Sequence, residues 1–433
     1  MKEMLLGNIL RRNASAAGLR DKTALIFGEE VLTYSELNDR VNQLANGLID
    51  LDVKRGNRVA VLGRNSNTYV MIYFALAKIG AIMVPVNFWY RSKEIEYTLR
   101  HSQSSVLILD GRFADAVKPA LEGHPLKEML YYGQHPTGRH TALEDIIDAS
   151  LPDEPNVEVT EDDPHIILYT SGTTGFPKGA TLSHKSHYLH AKSIAKSTGG
   201  HPEDVGVILY PLFHTGGPDC VLLPHFLLGA TGVVLDGAEP EVILLATERH
   251  HVTNIFCVPT VWRWILTKLR AKNFDVGSVR RCLASSDTLS PEILKEMLQK
   301  FDADVYNTYG LTEAGCVLTV CRLSREDRSK LGSVGRPMAS VQLRLVDEEG
   351  RPVKQGEVGE VVARTPSVMK HYWNMPEETA HATRDGWLHS GDLGRLDEDG
   401  YLFISGRAKD MIISAGENIY PIEIERLLKE NHK

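Results

Sequence analysis

Apolar positions fall into two rhythms along this chain, and the change from one to the other divides it. Thr33-Tyr34-Ser35-Glu36 has the form of a capping box, and Leu37, Val41, Leu44 and Leu48 follow at helical spacing, so a helix with one apolar face opens there. Short apolar runs and helical stretches then alternate. Val59 to Leu62, Ile82 to Pro85 and Val106 to Asp110 read as strands, with helices over Tyr69 to Ile79 and Ser92 to His101 between them. An acidic, proline-containing connector covers 152–164, after which the alternation resumes with strands at Ile166 to Tyr169, Val205 to Tyr210, Gly232 to Leu235, Ile255 to Val258 and Val305 to Tyr306. The pattern predicts an α/β fold built of two similar layers of parallel units.

From about Gly332 the texture changes to short alternating segments with acidic-glycine turns, as in Gln342 to Val346 before Asp347-Glu348-Glu349-Gly350. That predicts a small antiparallel β subdomain. Beyond Gly406-Arg407-Ala408-Lys409-Asp410 come a strand over Met411 to Ser414 and a helix over Pro421 to Lys429, too little to bury a core of its own. The expected division is residues 1–331 for the two-layer core, 332–407 for the β subdomain, and 408–433 for a hinge and the start of a further α+β domain.

Composition narrows the class. With 433 residues, 42% hydrophobic and 24% charged, the chain can bury a large core in more than one subdomain. A net charge of -8 without a long basic run argues against a nucleic-acid partner. Five cysteines show no C-x-x-C pair and no zinc-like spacing, which predicts reduced, mostly buried thiols. Tyr69 to Tyr90 is the one stretch apolar enough to suggest a membrane span, but Lys78 at its centre and Pro85 and Asn87 near its end favour a buried helix and strand. Arg11, Arg12 and small residues give the first 19 positions a transit-peptide flavour, against which stand Glu3 and the early onset of the fold. The expected location is cytoplasmic.

The chemistry concentrates in Tyr169-Thr170-Ser171-Gly172-Thr173-Thr174-Gly175-Phe176-Pro177-Lys178-Gly179, a loop of hydroxyls, glycines and one lysine straight after an apolar strand. Backbone N–H groups of such a turn converge on phosphate oxygens, and the lysine adds charge. It is not the ordinary P-loop, since Pro177 precedes Lys178 and Gly179 follows it. Together with Tyr309-Gly310-Leu311-Thr312-Glu313, Gly332-Ser333-Val334-Gly335-Arg336-Pro337, Gly356-Glu357-Val358-Gly359-Glu360, Trp387-Leu388-His389-Ser390-Gly391-Asp392 and Gly406 to Asp410, in that order, the chain resembles the adenylate-forming enzymes, which include acyl-CoA synthetases, luciferases and peptide-synthetase adenylation domains.

The resemblance implies roles for named residues. Thr170, Ser171, Gly172, Thr173, Thr174 and Gly175 would wrap the β and γ phosphates of ATP, with Lys178 as their cation. Thr312 would donate to the α-phosphate and Glu313 would hold Mg²⁺, which favours hard oxygen ligands. Tyr309 would lie on adenine, Asp392 would accept from both ribose hydroxyls, and Arg407 would reach the same sugar. Ser286, Asp287, Asn307, Thr308 and Gly310 complete the expected nucleotide site. His214 would stand between acyl pocket and nucleotide, with Thr215, Gly216, Ser285 and Gly310 around the acid; Thr215, Gly216 and Gly217 are expected to leave room for a bulky group. Ser285 to Ser290 replaces the glycine-rich stretch of many relatives, which predicts a narrower or more polar pocket. Lys409 would be the hinge, and Gly416, Glu417 and Asn418 the loop facing the site during thioester formation. Lys433 falls where the family's small C-terminal domain has barely begun, so its second catalytic lysine is not expected here.

The implied reaction is that of an acid:CoA ligase: a small carboxylic acid and Mg·ATP give acyl-AMP and pyrophosphate, and coenzyme A then displaces AMP. Fatty, aryl and cyclic acids all remain open at this point, as does the oligomeric state. Transfer to a carrier-protein phosphopantetheine is the alternative acceptor, and an adenylate-binding chain without full catalysis is the alternative class.

Overall fold

The structure, a computed structural model, describes residues 4–124, 126–134, 141–170, 177–285, 289–326 and 329–410, together with the backbone of two short strands, Ile412–Ser414 and Glu417–Ile419. The capping box at Thr33 forms as expected: Thr33 Oγ1 accepts from the Glu36 N–H at 3.2 Å and Glu36 Oε2 accepts from the Thr33 N–H at 2.8 Å, starting the helix Tyr34–Asp50. Leu37, Val41, Leu44 and Leu48 are all fully buried along it.

Two large sheets carry the fold. One has eight strands in the order His371–Tyr372, Lys178–Ser183, Pro164–Thr170, Ile82–Val86, Arg58–Leu62, Val106–Asp110, Glu128–Tyr132, Thr141–Ala142. The other has nine, in the order Arg336–Pro337, Thr319–Leu323, Asp304–Tyr309, Arg281–Ala284, Asn254–Cys257, Val205–Ile208, Thr231–Val234, Thr23–Phe27, Glu30–Thr33. The central strands of each are parallel, so their carboxyl ends share a direction, the usual place for ligands in such sheets. Both sheets contribute to the largest apolar cluster, in which Val61 and Met83 of one and Ile208 and Phe256 of the other surround the helix Asn67–Ile79 and its stacked Phe74–Phe226 pair.

Some strands join a sheet remote from their neighbours in sequence. The hairpin at Thr23–Phe27 and Glu30–Thr33 sits in the nine-stranded sheet, pairing with Thr231–Val234, although the strands that come next in sequence, from Arg58–Leu62 on, build the eight-stranded one. From 332–407, Arg336–Pro337 joins the nine-stranded sheet and His371–Tyr372 joins the eight-stranded one. The rest of that stretch makes the antiparallel four-stranded sheet Gln342–Val346, Gly359–Arg364, Leu388–Leu396, Leu402–Arg407. Beyond it, the backbone of Ile412–Ser414 pairs antiparallel with Glu417–Ile419; the helix expected over residues 421–429 lies outside the described residues.

Lys78 explains why the most apolar helix is a core helix. It is 13 residues long, and Lys78 Nζ is buried among Asn38 Oδ1 at 2.8 Å, Asn42 Oδ1 at 2.6 Å and Glu154 Oε2 at 2.8 Å. No helix among the described residues is long and apolar enough to cross a membrane.

Candidate active site

All three sheets border one cleft of about 1020 Å³. Strand ends supply its walls: Thr170 ends Pro164–Thr170, Ser285 follows Arg281–Ala284, Gly310 follows Asp304–Tyr309, and His214 lies in the loop after Val205–Ile208.

At the side formed by the small sheet, Asp392 and Arg407 are partners across the register of Leu388–Leu396 and Leu402–Arg407. Arg407 Nε stands 3.3 Å from Asp392 Oδ1, and the Tyr309 hydroxyl donates to Asp392 Oδ2 at 2.8 Å. Burial raises the pKa of Asp392, against the pull of Tyr309 and Arg407, and the same enclosure with a carboxylate alongside drives the Tyr309 phenol well upward. Glu360, which sequence reasoning passed over, holds the turn before Asp392: it accepts from the Gly391 N–H at 3.0 Å and meets His389 Nδ1 at 2.8 Å.

On the opposite side Glu313 collects hydroxyl donors. Tyr372 donates to Glu313 Oε1 at 2.7 Å and Thr170 Oγ1 donates to the same oxygen at 3.4 Å. The ring of Tyr372 lies under Lys178, whose Nζ is 5.3 Å from its centroid. The backbone makes this meeting inevitable, because His371–Tyr372 pairs with Thr181 and Ala180 of the strand that Lys178 opens, and the Met369 N–H donates to the Glu313 carbonyl at 2.8 Å. Tyr372 was not among the expected site residues; its only signal in sequence was an aromatic pair with Trp373 ahead of a proline-started helix. Glu313, Thr170 and Thr312 present oxygen alone, a donor set that fits Mg²⁺ bound mainly through phosphates and water.

The third region holds His214, Thr215, Ser285, Gly310 and Cys316. His214 is exposed to the cleft, its Nδ1 accepts from the Gly216 N–H at 3.1 Å, and the protein packed around it lowers its pKa, so the neutral ring carries its proton on Nε2. Gly310 is fixed by contact: a Cβ there would lie 1.9 Å from the Cys316 carbonyl oxygen. Gly216 and Gly217 do not supply the spare room expected of them. Added Cβ atoms would meet the Tyr210 ring at 2.8 Å and the Tyr210 and Pro211 carbonyls at 2.9 Å, so these glycines let the loop fold onto Tyr210.

Some expected residues stand elsewhere. Asn307 and Thr308 are buried behind the wall, donating to the Ser333 and Ala284 carbonyls at 2.8 and 3.2 Å. Lys409 is exposed in the 3₁₀ turn Ala408–Asp410. Ser171, Gly172, Thr173, Thr174, Gly175, Ser286, Asp287 and Gly416 lie outside the described residues, and of Glu417 and Asn418 the backbone alone is described.

Comparison with known proteins agrees with this architecture. Residues 12–373 match the family of AMP-binding enzymes, and the chain belongs to that family. Within it the chain falls in the acyl-CoA synthetase branch of ATP-dependent, AMP-forming acid:CoA ligases, whose cofactors are ATP, Mg²⁺ and coenzyme A. It is 38% identical over 407 residues to a feruloyl-CoA synthase of Amycolatopsis sp, covering 94% of this chain and 79% of the relative. It is 34% identical over 421 residues to an indoleacetate–CoA ligase of Aromatoleum aromaticum, covering 96% and 81%. Among solved structures, the anthranilate CoA ligase AuaEII in complex with anthranoyl-AMP superposes with a TM-score of 0.92 at 28% identity, covering 99% of this chain and 82% of that one.

Proposed function

We propose that this acid:CoA ligase activates an aromatic carboxylic acid, and that the cleft is where acid and nucleotide meet. The observation that carries the reading is the convergence of two carboxylates with different escorts on one cleft: Asp392 with Tyr309 and Arg407, and Glu313 with Thr170, Tyr372 and Lys178. The first set suits a ribose and the adenine beside it, since a carboxylate can accept from a vicinal diol and a phenol ring offers a flat face. The second set suits phosphates and their metal. The carboxylate of the acid and the α-phosphate repel, so bringing them together needs positive charge and donors already in place. Lys178 supplies the charge and Thr312 a hydroxyl, and Mg²⁺ bound at Glu313 would neutralise phosphate charge.

His214, neutral and with its Nε2–H available, serves as a donor or a wall for the acid. The preference for an aromatic acid draws support from the relatives named for ferulate and indoleacetate and the structural neighbour named for anthranilate. Phe213, His214 and Cys316 give that end of the cleft an apolar, polarisable lining. In our reading residues 1–331 form the core of the adenylation domain and 332–407 its β subdomain, with Lys409 as the hinge within 408–433. Five free cysteines and the lack of a membrane-crossing helix among the described residues fit a cytoplasmic location, where ATP and coenzyme A are at hand. A second reading, transfer to a carrier protein, is favoured by 33% identity to a fatty acid–[acyl-carrier-protein] ligase of Streptomyces coeruleorubidus.

Thermal shift with non-hydrolysable acyl-adenylate analogues tests the acid. A ligand at a hundred times its dissociation constant adds roughly 2.7 kcal/mol to stability. Cinnamoyl, indolylacetyl and benzoyl analogues are expected to stabilise more than alkyl ones of equal size. A larger response to long alkyl analogues would replace the aromatic reading, and a response to none of them would remove the adenylate site itself.

A further inference from the structure

Two cysteines that the reaction does not use meet at the acid end of the cleft, one on its surface and one buried behind it. Cys316 lines the cleft, and its Sγ lies 3.3 Å from that of Cys220, 96 residues earlier in the chain. Cys220 is buried in the π-helical turn Pro218–Leu222, directly after the His214 loop. Cys316 follows the 3₁₀ turn Thr312–Ala314 that carries Glu313. The sulfurs therefore meet behind the cleft surface, where the turn after the His214 loop packs against the segment that follows Glu313. Cys257, Cys282 and Cys321 are buried and line no part of this cleft.

The backbone holds Cys316 in place. Its φ is +131°, a region that favours glycine, and a non-glycine residue persists there when its surroundings impose it. Val317 N–H donates to His190 Nε2 at 2.9 Å, and burial pulls the pKa of His190 down to about 4, so this imidazole stays neutral and remains an acceptor. The Leu318 N–H donates to the Tyr309 carbonyl at 2.8 Å, and the Cys316 carbonyl is pressed against Gly310. Movement of Cys316 is thus passed to Gly310 and Tyr309. Burial and the neighbouring thiol raise the pKa of Cys220, which keeps it a thiol while Cys316 meets what enters the cleft.

We propose that Cys220 and Cys316 form a reversible disulfide when a hydroperoxide enters the cleft, and that this bond lowers affinity for the acyl group. The Cys316 thiolate attacks one peroxide oxygen, the O–O bond breaks, and the other oxygen leaves as water or alcohol, giving a sulfenic acid. The Cys220 sulfur then attacks the Cys316 sulfur, and the departing hydroxide takes the Cys220 proton as water. Two thiols lose two electrons and the O–O bond gains them. The sulfurs have to close by about 1.2 Å to reach the ~2.05 Å of the bond, which draws the loop carrying Cys316 towards the Pro218–Leu222 turn. Bond formation does not depend on the identity of the acid; its effect on affinity rests on the reading of this end as the acid's pocket.

The test treats the protein with limiting hydrogen peroxide, maps peptides without reduction, and titrates an aryl acyl-adenylate analogue and AMP before oxidation, after it, and after dithiothreitol. The expected result is a peptide bearing Cys220 linked to one bearing Cys316, with affinity for the analogue lower by about tenfold, the size of effect a one-methylene change makes in an apolar pocket. Dithiothreitol restores it, AMP binding changes less, and Cys220→Ala and Cys220→Ser, measured against themselves, lose the reversible response. Cys316 carried to sulfinic acid without linkage would overturn the proposal. Linkage with unchanged affinity for analogue and AMP would overturn the regulatory half, and an equal loss for both would place the fault in the nucleotide region, overturning the pocket reading instead.

Discussion

Replacing Tyr372 with phenylalanine removes one oxygen from the site and little else. That hydroxyl makes the shorter of the two side-chain hydrogen bonds to Glu313, at 2.7 Å against 3.4 Å from Thr170, and its ring stays to pack beneath Lys178. Tyr372 is 8% exposed, so water does not readily take the place of its hydroxyl. A hydrogen bond to a charged group contributes about 1.5 to 3 kcal/mol, which corresponds to a loss of roughly ten- to a hundredfold in whatever step needs Glu313 held in place. We expect Tyr372→Phe to raise the Mg²⁺ concentration needed for half-maximal ATP binding, read by titration calorimetry, and to slow carboxylate-dependent pyrophosphate exchange by a similar factor. Binding of an acyl-adenylate analogue in the absence of metal is expected to stay within about twofold, because Glu313 faces the metal and not the adenylate in this reading. Unchanged Mg²⁺ dependence would refute the argument. So would an equal loss of metal-free analogue binding, which would mean that Tyr372 shapes the cleft as a whole.

Three other contacts lead to expected outcomes of their own. Asp392→Asn keeps the size of the side chain but removes the charge facing Arg407; AMP affinity is expected to fall by about ten- to a hundredfold, on the scale of a lost charged hydrogen bond, while the ranking of acids holds. Gly310→Ala places a Cβ 1.9 Å from the Cys316 carbonyl, and the backbone has to give: a loss of about 1 to 3 kcal/mol in urea unfolding is expected, with weaker analogue binding. Burial pulls the pKa of Lys78 down to about 8 from 10.5, despite Glu154 beside it. The unfolded chain then binds more protons between those values, so this group makes stability rise with pH across about 8 to 10.5, by at most about 3 kcal/mol. Urea midpoints of the wild type and Lys78→Met across that window check the sign, since the variant should lack the rise.

Local signals were legible in sequence wherever a residue's role is settled by its neighbours. The capping box at Thr33 needs four consecutive residues, and all the information is there. The same holds for Thr170, because the apolar run Ile166 to Tyr169 followed by glycines and hydroxyls already marks the end of a strand, whereas the strand read at Val305 to Tyr306 runs on to Tyr309. What stayed hidden depends on contacts between distant segments. Tyr372 meets Glu313 across 59 positions and Cys220 meets Cys316 across 96, with no periodicity to pair them. The hairpin at Thr23–Phe27 and Glu30–Thr33 was hidden for a related reason: alternation predicts that strands pair, but not that this one crosses to the far layer. Gly216 and Gly217 show the opposite error, since a glycine reads alike whether the space beside it is left for a ligand or filled by Tyr210.

The arrangement of donors also explains how buried carboxylates tolerate a site that must later receive anions. A carboxylate has about four acceptor positions. Among the described residues, Tyr309 donates to Oδ2 of Asp392 and the Arg407 guanidinium forms an ion pair with Oδ1 at 3.3 Å, so acceptor positions remain for a pair of ribose hydroxyls. Glu313 has a different balance: among the described residues its two hydroxyl donors, Tyr372 and Thr170, both converge on Oε1. Protein contacts thus tie both carboxylates to neighbouring sheets, Asp392 through Tyr309 of the nine-stranded sheet and Glu313 through Tyr372 of the eight-stranded one. Because the Tyr309 hydroxyl ties Asp392 to the nine-stranded sheet, Tyr309→Phe is expected to loosen the small sheet even without nucleotide. Faster amide exchange in Leu388–Leu396 of the free variant is the expected sign, and unchanged exchange there would mean that the small sheet is held by its other contacts alone.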